Sequence, residues 1–139
     1  GGNYLLNIGP SPEGTWSDTA YQRLNEIGLW MAVNGEAIYG SRPIDPHKSG
    51  NICLTSNPDG TIYAIYLAGK EERVMPAKMA IRGFQPSPGS VVTMLGYGKN
   101  LKWQKIGDEG FEVFIPSAHR SRPPSRYAWT LKIVMDNTD

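Results

Sequence analysis

The first part of the chain carries a short apolar run at residues 4–8, in which apolar side chains do not alternate cleanly with polar ones. Such a run is typical of a strand buried on both faces of a sheet. Gly9 and Pro10 end it, and the following residues up to Trp16 have the composition of a loop. The pattern therefore predicts a buried strand followed by a loop.

A helical pattern begins after Ser17. Ser17 is a good N-cap residue, and Asp18 places a negative charge in the first turn, where the helix dipole favours it. Apolar residues then recur at spacings of four, three and four, which puts them on one helix face: Ala20, Leu24, Ile27 and Met31. Asn34 and Gly35 tolerate the left-handed conformation that often ends a helix. We therefore expect a helix at residues 18–33.

From Gly35 onward, short apolar runs alternate with turn residues, and no helical stripe recurs. The segment at residues 57–60, with the sequence NPDG, is a strong turn signal between two such runs. Short strands separated by regular turns are typical of an antiparallel sandwich or barrel. Seven strands are predicted, at residues 52–56, 61–67, 78–82, 91–95, 101–106, 111–115 and 129–135.

These patterns divide the chain into two parts. Residues 1–34 make one βα unit, which cannot bury both of its faces alone, and residues 35–139 make an all-β domain. The chain also opens without an initiator methionine, which favours its interpretation as part of a larger protein.

Composition narrows the possible functions. Of the 139 residues, 40% are hydrophobic and 19% charged, which is typical of a globular protein. The net charge of +1 provides no basic field for nucleic acid. No apolar run approaches the roughly 20 residues that span a bilayer. Cys53 is the one cysteine, so an internal disulfide is excluded. We therefore expect neither a nucleic-acid nor a membrane partner.

The sequence offers little sign of catalytic or metal chemistry. His47 and His119 have no Cys or carboxylate partners at ligand spacing, so no metal site is predicted. The carboxylates lie near turns, helix ends or charged loops, and none is bracketed by the aromatic residues expected around a sugar-binding carboxylate, except that Glu13 is close to Trp16. Three arginines interleaved with two prolines at residues 120–126 could contact an anion or form a polyproline ligand, but a solvated loop is the favoured interpretation.

The tryptophans are candidate platforms for stacking on a sugar ring. Trp103 and Trp129 lie in predicted strands and Trp30 flanks the helical stripe, so all three are expected to pack inside the protein. Trp16 differs because it lies in a loop directly after a strand, where functional residues concentrate.

Two sequence motifs resemble glycoside hydrolase family 29, the α-L-fucosidases. The sequence GNYLLNIGP at residues 2–10, followed by EGT at residues 13–15, resembles a late barrel strand of that family. The sequence NGEAIYG at residues 34–40 resembles the segment after its last barrel helix. Residues 101–103 and 111–116 look like its C-terminal β-sandwich, with weaker motifs.

The resemblance implies a fold and an activity for the parent enzyme. The fold would be a (β/α)8-like barrel followed by a β-sandwich. The chain is thus predicted to be mainly β, an antiparallel β-sandwich preceded by one orphan βα unit of the barrel. The reaction would be retaining hydrolysis of terminal α-L-fucose, using an Asp nucleophile and a second carboxylic acid about 5–5.5 Å away. No metal or organic cofactor would be required.

The resemblance also implies that the catalytic residues lie before the matching segment. We therefore expect no catalytic residue of the usual site in this chain. The segment at residues 7–16 leaves the carboxyl end of a barrel strand, the end where such barrels place their active sites. Asn7 and Trp16 are accordingly the candidate substrate-binding residues, although a connecting loop is the simpler interpretation of each.

Three hypotheses about function stay open at this point. The chain could be part of a retaining α-L-fucosidase that acts on a fucosylated oligosaccharide together with the missing barrel portion. It could self-associate into an oligomer with its own fucosidase or transfucosylation activity, because an orphan strand and helix expose groups that favour association. It could also be a non-catalytic β-sandwich that supports the barrel or binds carbohydrate.

Overall fold

A computed structural model describes residues 2–136 of the chain. The helices are α1 (Asp18–Asn34) and the short α2 (Ser117–Arg120), and a 3-10 turn at Gly35–Ala37 follows α1 directly. The strands are β1 (Arg42–Ser49), β2 (Ile52–Ser56), β3 (Ile62–Leu67), β4 (Lys78–Arg82), β5 (Val91–Met94), β6 (Trp103–Lys105), β7 (Gly110–Phe114) and β8 (Ala128–Val134).

The strands form two antiparallel sheets that share one hydrophobic core. A five-stranded sheet has the order β1-β2-β3-β8-β5, and a three-stranded sheet has the order β4-β7-β6. Phe111 of β7 is fully buried, with its ring 5.2 Å from that of Phe84 and 6.1 Å from that of Trp103. Trp129 of β8 is also buried and stacks on Tyr66 at 5.4 Å. The predicted antiparallel β-sandwich is confirmed.

The five-stranded sheet is covered on both faces. In β8, Trp129, Leu131 and Ile133 belong to the core between the sheets. Ala128 lies on the opposite face, in a second cluster that includes Ala37 of the 3-10 turn and has Trp30 of α1 packed against it. Because side chains alternate along a strand, β8 serves both clusters.

Helix α1 begins as the sequence predicts, but it ends differently. The Ser17 side chain accepts a hydrogen bond from the Ala20 backbone N–H at 3.3 Å. Gly35 has a φ of −58° and continues into the 3-10 turn, so the left-handed stop expected there is wrong. A Cβ on buried Gly35 would lie 3.0 Å from the Tyr39 ring, so glycine provides space here rather than a special conformation. The left-handed glycine comes later, at Gly40, with a φ of 69°.

Residues 4–8 do not form the predicted strand. They are extended and belong to no sheet in the described part of the chain, and Tyr4 and Leu5 keep 83% and 82% of their surfaces exposed. A strand is stable only when its backbone pairs with neighbours and its side chains are covered. The described residues offer this segment neither, so the apolar run stays without a sheet.

One strand was missed by the sequence analysis. Strand β1 is an edge strand, and it contains Pro43 and Pro46. Proline cannot donate to a ladder and is tolerated at edges and bulges. The register with β2 does shift between Pro43 and Lys48. Because its side chains are mostly exposed, β1 has no apolar alternation by which the sequence could reveal it.

Candidate functional site

The junction between α1 and the sandwich is fixed by partly buried hydrogen bonds. The Trp30 indole N–H donates to the Ala128 carbonyl at 3.1 Å. Asn34, which is fully buried, donates from its side chain to the Trp30 carbonyl at 3.0 Å and to Ser125 Oγ at 3.4 Å. Buried polar groups of this kind are costly to separate from their partners. The last two turns of α1 are therefore tied to the sandwich.

A second set of contacts ties the 3-10 turn to the same sheet. Thr55 Oγ1 donates to the Ala37 carbonyl at 2.9 Å, and Asn57 donates to the Glu36 carbonyl at 3.2 Å. Lys132 Nζ lies 3.2 Å from Glu36 Oε2. Together with the Trp30 and Asn34 contacts, these bonds set the direction in which α1 leaves the sandwich.

The face of α1 that contacts the sandwich is not the predicted apolar stripe. Trp30 lies about 90° and Asn34 about 50° around the helix from the centre of that stripe, at 100° per residue. Of the stripe residues, Ile27 is 44% exposed. Ala20, Leu24 and Met31 are half-buried, so the described residues cover the predicted stripe only in part, and Ile27 is its most exposed member.

The loop before α1 contains both predicted substrate-binding residues. The Gly14 N–H donates to the Ser11 carbonyl at 2.9 Å, and the Ser11 N–H donates to the Thr15 carbonyl at 2.7 Å, which makes the loop compact. Trp16 is 39% exposed, and its ring lies 5.7 Å from that of Tyr21. Asn7 is exposed and lies outside this compact loop. The cavities described below are lined by other residues.

The carboxyl groups with a resolved pKa shift all change in the same direction. Each of their pKa values is lowered, chiefly because a neighbouring donor stabilises the charged form. The pairs are Ser11 with Glu13, Arg23 with Glu26, the Thr61 N–H with Asp59, and Lys78 with Glu112. A general acid in a glycosidase needs the opposite, a raised pKa.

Helix α2 and the loop that follows it, up to Tyr127, are held against the sandwich by hydrogen bonds. The Tyr97 hydroxyl donates to the His119 carbonyl at 2.9 Å and also bonds the Arg122 carbonyl. The Trp129 indole N–H donates to the Ser125 carbonyl at 2.9 Å, and Ser125 Oγ donates to the Ala128 carbonyl at 2.7 Å. The end of this loop is thus anchored on both sides of Tyr127.

Tyr127 has an unusual backbone and a prominent surface position. Its φ is 74°, in the left-handed region that aromatic residues rarely adopt. It is 45% exposed, and the Arg126 guanidinium lies 4.9 Å from the centre of its ring. Its hydroxyl donates to Glu26 Oε2 at 3.3 Å, and the same oxygen accepts from Arg23 Nη1 at 2.7 Å.

Three cavities meet at Tyr127. One of about 340 Å³ is lined by residues that include Arg23, Ile27 and Trp30. A second of about 460 Å³ lies between α1 and residues 124–127 and includes Leu29. The third, of about 220 Å³, is bordered by Glu72, Arg73 and Trp129 among other residues.

Comparison with known proteins identifies the family. The model of the α-L-fucosidase family matches residues 1–36, and the model of the α-L-fucosidase C-terminal domain matches residues 45–134. The chain belongs to the α-L-fucosidase family. It covers the end of the catalytic domain and the C-terminal domain of that family of glycoside hydrolases.

Similar fucosidases are found in animals and bacteria. The chain is 35% identical over 136 residues to the human tissue α-L-fucosidase, covering 96% of this chain and 28% of the human protein. It is 34% identical over 137 residues to an α-L-fucosidase of Branchiostoma floridae, covering 96% of this chain and 29% of that protein. The chain thus spans under a third of the length of these relatives.

Solved structures of bacterial fucosidases share the fold. The Thermotoga maritima α-fucosidase in complex with a mechanism-based inhibitor superposes with a TM-score of 0.76 at 25% identity, over 94% of this chain and 30% of that one. Isoenzyme 1 of Paenibacillus thiaminolyticus α-L-fucosidase gives a TM-score of 0.72 at 25% identity, over 96% and 30% of the two chains.

The fucosidase chain shows neither a clustered metal site nor a membrane span in its described part. Within residues 2–136, no three His, Cys, Asp or Glu side chains are grouped so that they could hold a metal ion. No helix in that range is both long and apolar enough to cross a bilayer.

Sequence reasoning missed the surroundings of Tyr127. The arginines at residues 120–126 were noted, but nothing in the sequence marks Tyr127 as left-handed or brings it to Glu26, which is 101 positions away. The available signal was weak: an aromatic residue placed between an arginine and the last strand.

Proposed function

We propose that this chain forms the C-terminal part of a retaining α-L-fucosidase, which hydrolyses terminal α-L-fucose from oligosaccharides and glycoconjugates. A barrel portion outside this chain supplies the catalytic carboxylates. It docks on residues 4–8 and on the exposed part of the predicted α1 stripe, around Ile27. The single observation that carries this proposal is the apolar segment at residues 4–8, which is exposed and belongs to no sheet in the described part of the chain.

The exposed apolar side chains support this docking. Tyr4 and Leu5 are more than four-fifths exposed, and Ile27, in the predicted stripe of α1, is 44% exposed. Burying each large apolar side chain would contribute about 1.5–3 kcal/mol. In a (β/α)8 barrel, a strand and the helix after it pack on neighbouring strands and helices, which would cover these residues.

The carboxyl groups support the assignment of catalysis to another part of the enzyme. A retaining glycosidase needs one carboxyl group that stays protonated near neutral pH and a second that attacks as a carboxylate. The pKa values of Glu13, Glu26, Asp59 and Glu112 are lowered, which suits structural ion pairs and caps rather than a general acid.

The loop before α1 would lie at the rim of the fucose site. When residues 4–8 join the barrel as a strand, Asn7 and Trp16 lie near its carboxyl end, where barrel enzymes bind substrate. We assign them the roles of lining the pocket or contacting the sugar that carries the fucose. The division into residues 1–34 and 35–139 belongs to the same proposal, with the first part completing the barrel and the second supporting it.

The first experiment is hydrolysis of an aryl α-L-fucoside by the purified chain, after mass spectrometry has shown that no longer chain is present. We expect no turnover by the chain alone. Turnover that disappears when one of the chain's own carboxylates is changed, for example in Glu13→Gln, would contradict the proposal. Adding a separately produced barrel portion is the matched positive arm, and we expect it to bind the chain and restore turnover.

Self-association is the second candidate, and the same exposed segment favours it. An extended run with unpaired backbone groups can pair with a copy of itself, and a homo-oligomer would repeat that contact by symmetry. In such an assembly, a fucosidase or transfucosylation site could form between copies. Molecular mass from light scattering separates the two ideas, since a monomeric chain excludes the second.

A further inference from the structure

The backbone of Tyr127 has a conformation that is strained for an aromatic residue. A left-handed φ costs a non-glycine residue free energy, and such residues collect at functional sites. Tyr127 adopts a φ of 74° while 45% of its surface remains exposed. The conformation therefore holds a large aromatic ring at the surface instead of burying it.

The scaffold around Tyr127 is rigid. Ser125 receives the Trp129 indole N–H on its carbonyl, and its hydroxyl donates to the Ala128 carbonyl. The same Ala128 carbonyl accepts from the Trp30 indole N–H. These bonds hold the backbone on both sides of Tyr127, and the bond from its hydroxyl to Glu26 positions the ring, so the ring is preorganised. Preorganisation reduces the entropic cost of binding a ligand.

The groups beside the ring suit the hydroxyls of a sugar. Glu26 Oε2 accepts from Arg23 and from the Tyr127 hydroxyl, whereas Oε1 faces Arg126 Nη1 at 4.0 Å. That distance is longer than a hydrogen bond, so a bridging hydroxyl could accept from the guanidinium and donate to the carboxylate. The Glu26 carboxyl is held ionised there because Arg23 lowers its pKa.

The cavity beside the ring has the size and the position of a ligand site. At about 460 Å³ it falls within the range of small-molecule pockets, about 300–1,000 Å³. Leu29 and Val33, which line it, lie roughly 150–170° around α1 from the predicted stripe, at 100° per residue. A barrel docked on the stripe therefore leaves this side of α1 open.

We infer that the Tyr127 surface, defined by Glu26, Leu29, Arg126 and Tyr127, is an oligosaccharide-binding site. The exposed part of the Tyr127 ring stacks on the C–H face of a pyranose, as aromatic rings do with apolar faces. Glu26 and Arg126 bind its hydroxyls, and the apolar wall of α1 covers the rest. In the intact enzyme this site holds part of a branched glycan; its use with fucosylated glycans rests on the proposed function, but the stacking chemistry does not.

The test is a titration of the full 139-residue chain, labelled with nitrogen-15, with 2′-fucosyllactose and separately with lactose. At sugar concentrations well above a weak affinity of roughly 1 mM, we expect amide and indole shifts at Tyr127, Arg126 and Trp30. Tyr127→Phe keeps the ring and should bind nearly normally. Tyr127→Gly suits the left-handed backbone and removes the ring, so it should remain folded and bind roughly tenfold more weakly.

Tyr39→Ala is the matched control, because Tyr39 is also exposed but lies at the turn after α1, outside the Tyr127 surface. It should bind as the unchanged chain does. Equal binding of lactose supports the site and shows that it binds pyranoses in general, even if the fucosidase proposal fails. The inference is overturned if neither sugar shifts these signals, if Tyr127→Gly binds normally, or if the signals respond only to protein concentration, which would indicate contact between copies.

Discussion

Two tyrosine-containing apolar runs in this chain differ in strand pairing and in burial. Tyr4, Leu5 and Leu6 are extended, unpaired and exposed at 83%, 82% and 43%. In β3, Ile65 is 6% exposed, and the strand is paired with β2 on one side and β8 on the other. The two runs have similar intrinsic preferences for a strand.

The difference teaches that partners, not propensity, decide which run becomes a strand. Strand β3 receives a full ladder on both edges, and its side chains face two covered clusters. Residues 4–8 carry the same kind of pattern, but the described residues hold no partner for them. An exposed apolar run with the pattern of a buried strand therefore indicates a surface that another part of the protein would cover.

The largest contrast between the two regions should come from truncating one apolar side chain in each. Phe111→Ala removes a fully buried ring that touches Phe84 and Trp103. We expect it to lower the free energy of unfolding by about 3–5 kcal/mol. Leu5→Ala, in the exposed run, should change it by less than about 0.5 kcal/mol. Urea denaturation followed by tryptophan fluorescence measures both.

A comparable loss in the two variants would break the comparison. It would mean that residues 4–8 are covered in solution, by a copy of the chain for example. Repeating the denaturation at several protein concentrations distinguishes this case, since stability that depends on association rises with concentration.

Two nested deletions test the same difference in stability for whole segments instead of single side chains. Removing residues 1–16 takes away exposed segments and keeps the Ser17 N-cap of α1, so the unfolding midpoint should hardly change. Removing residues 1–34 also removes Trp30 from the second cluster, together with the hydrogen bonds from Trp30 and Asn34 to the sandwich. We expect a soluble sandwich that unfolds cooperatively but is about 2 kcal/mol less stable. Calorimetry of the three chains provides the values.

The division at residue 34 depends on the longer deletion. If that chain shows no cooperative transition, α1 is a necessary part of the sandwich and the boundary lies before it. If the shorter deletion costs as much as the longer one, the loop at residues 9–16 packs more tightly than its exposure indicates.

Local patterns were sufficient to predict most of the sandwich. The seven predicted strands were found, with 52–56 and 78–82 matching β2 and β4 at both ends and the other five shifted by at most two residues at an end. In strands with one face in the core, apolar and polar residues alternate along the sequence, as they do around Met79 and Ile81 in β4. Edge strand β1 shows no such alternation, because its side chains are mostly exposed and prolines interrupt it.

The Tyr127 surface could not be predicted from local patterns. It depends on Tyr127 meeting Glu26 across 101 positions, and on a left-handed backbone at an aromatic residue. Neither is encoded by local spacing: the first needs the packing of α1 on β8, and the second is imposed by the hydrogen bonds of Ser125 on the loop. Helix α1 was predictable, but which of its faces meets the sandwich was not.

The smallest expected difference is in the melting temperature, between variants of two carboxylates with lowered pKa values: Glu112 in the sandwich and Glu13 in the loop before α1. Lys78 and Gln104 donate to Glu112 at 2.9 and 2.6 Å and hold its pKa below 4.5 in the folded sheet. Near and below pH 4.5 the unfolded state binds more protons, so this contribution is full above that pH and is lost as the pH falls through the lower, folded pKa. Glu112→Gln should therefore lower the melting temperature at neutral pH, and its curve should meet that of the unchanged chain in acid.

Glu13 has a lowered pKa too, owing chiefly to its hydrogen bond with Ser11. Its loop lies outside the sandwich, however, and can open without exposing the core. Glu13→Gln should accordingly leave the melting temperature unchanged at every pH, although the local titration of the loop shifts. Equal effects of the two substitutions on melting would show that residues 9–16 and the sandwich unfold as one unit, which would remove the physical basis for treating the N-terminal segment as a docking surface.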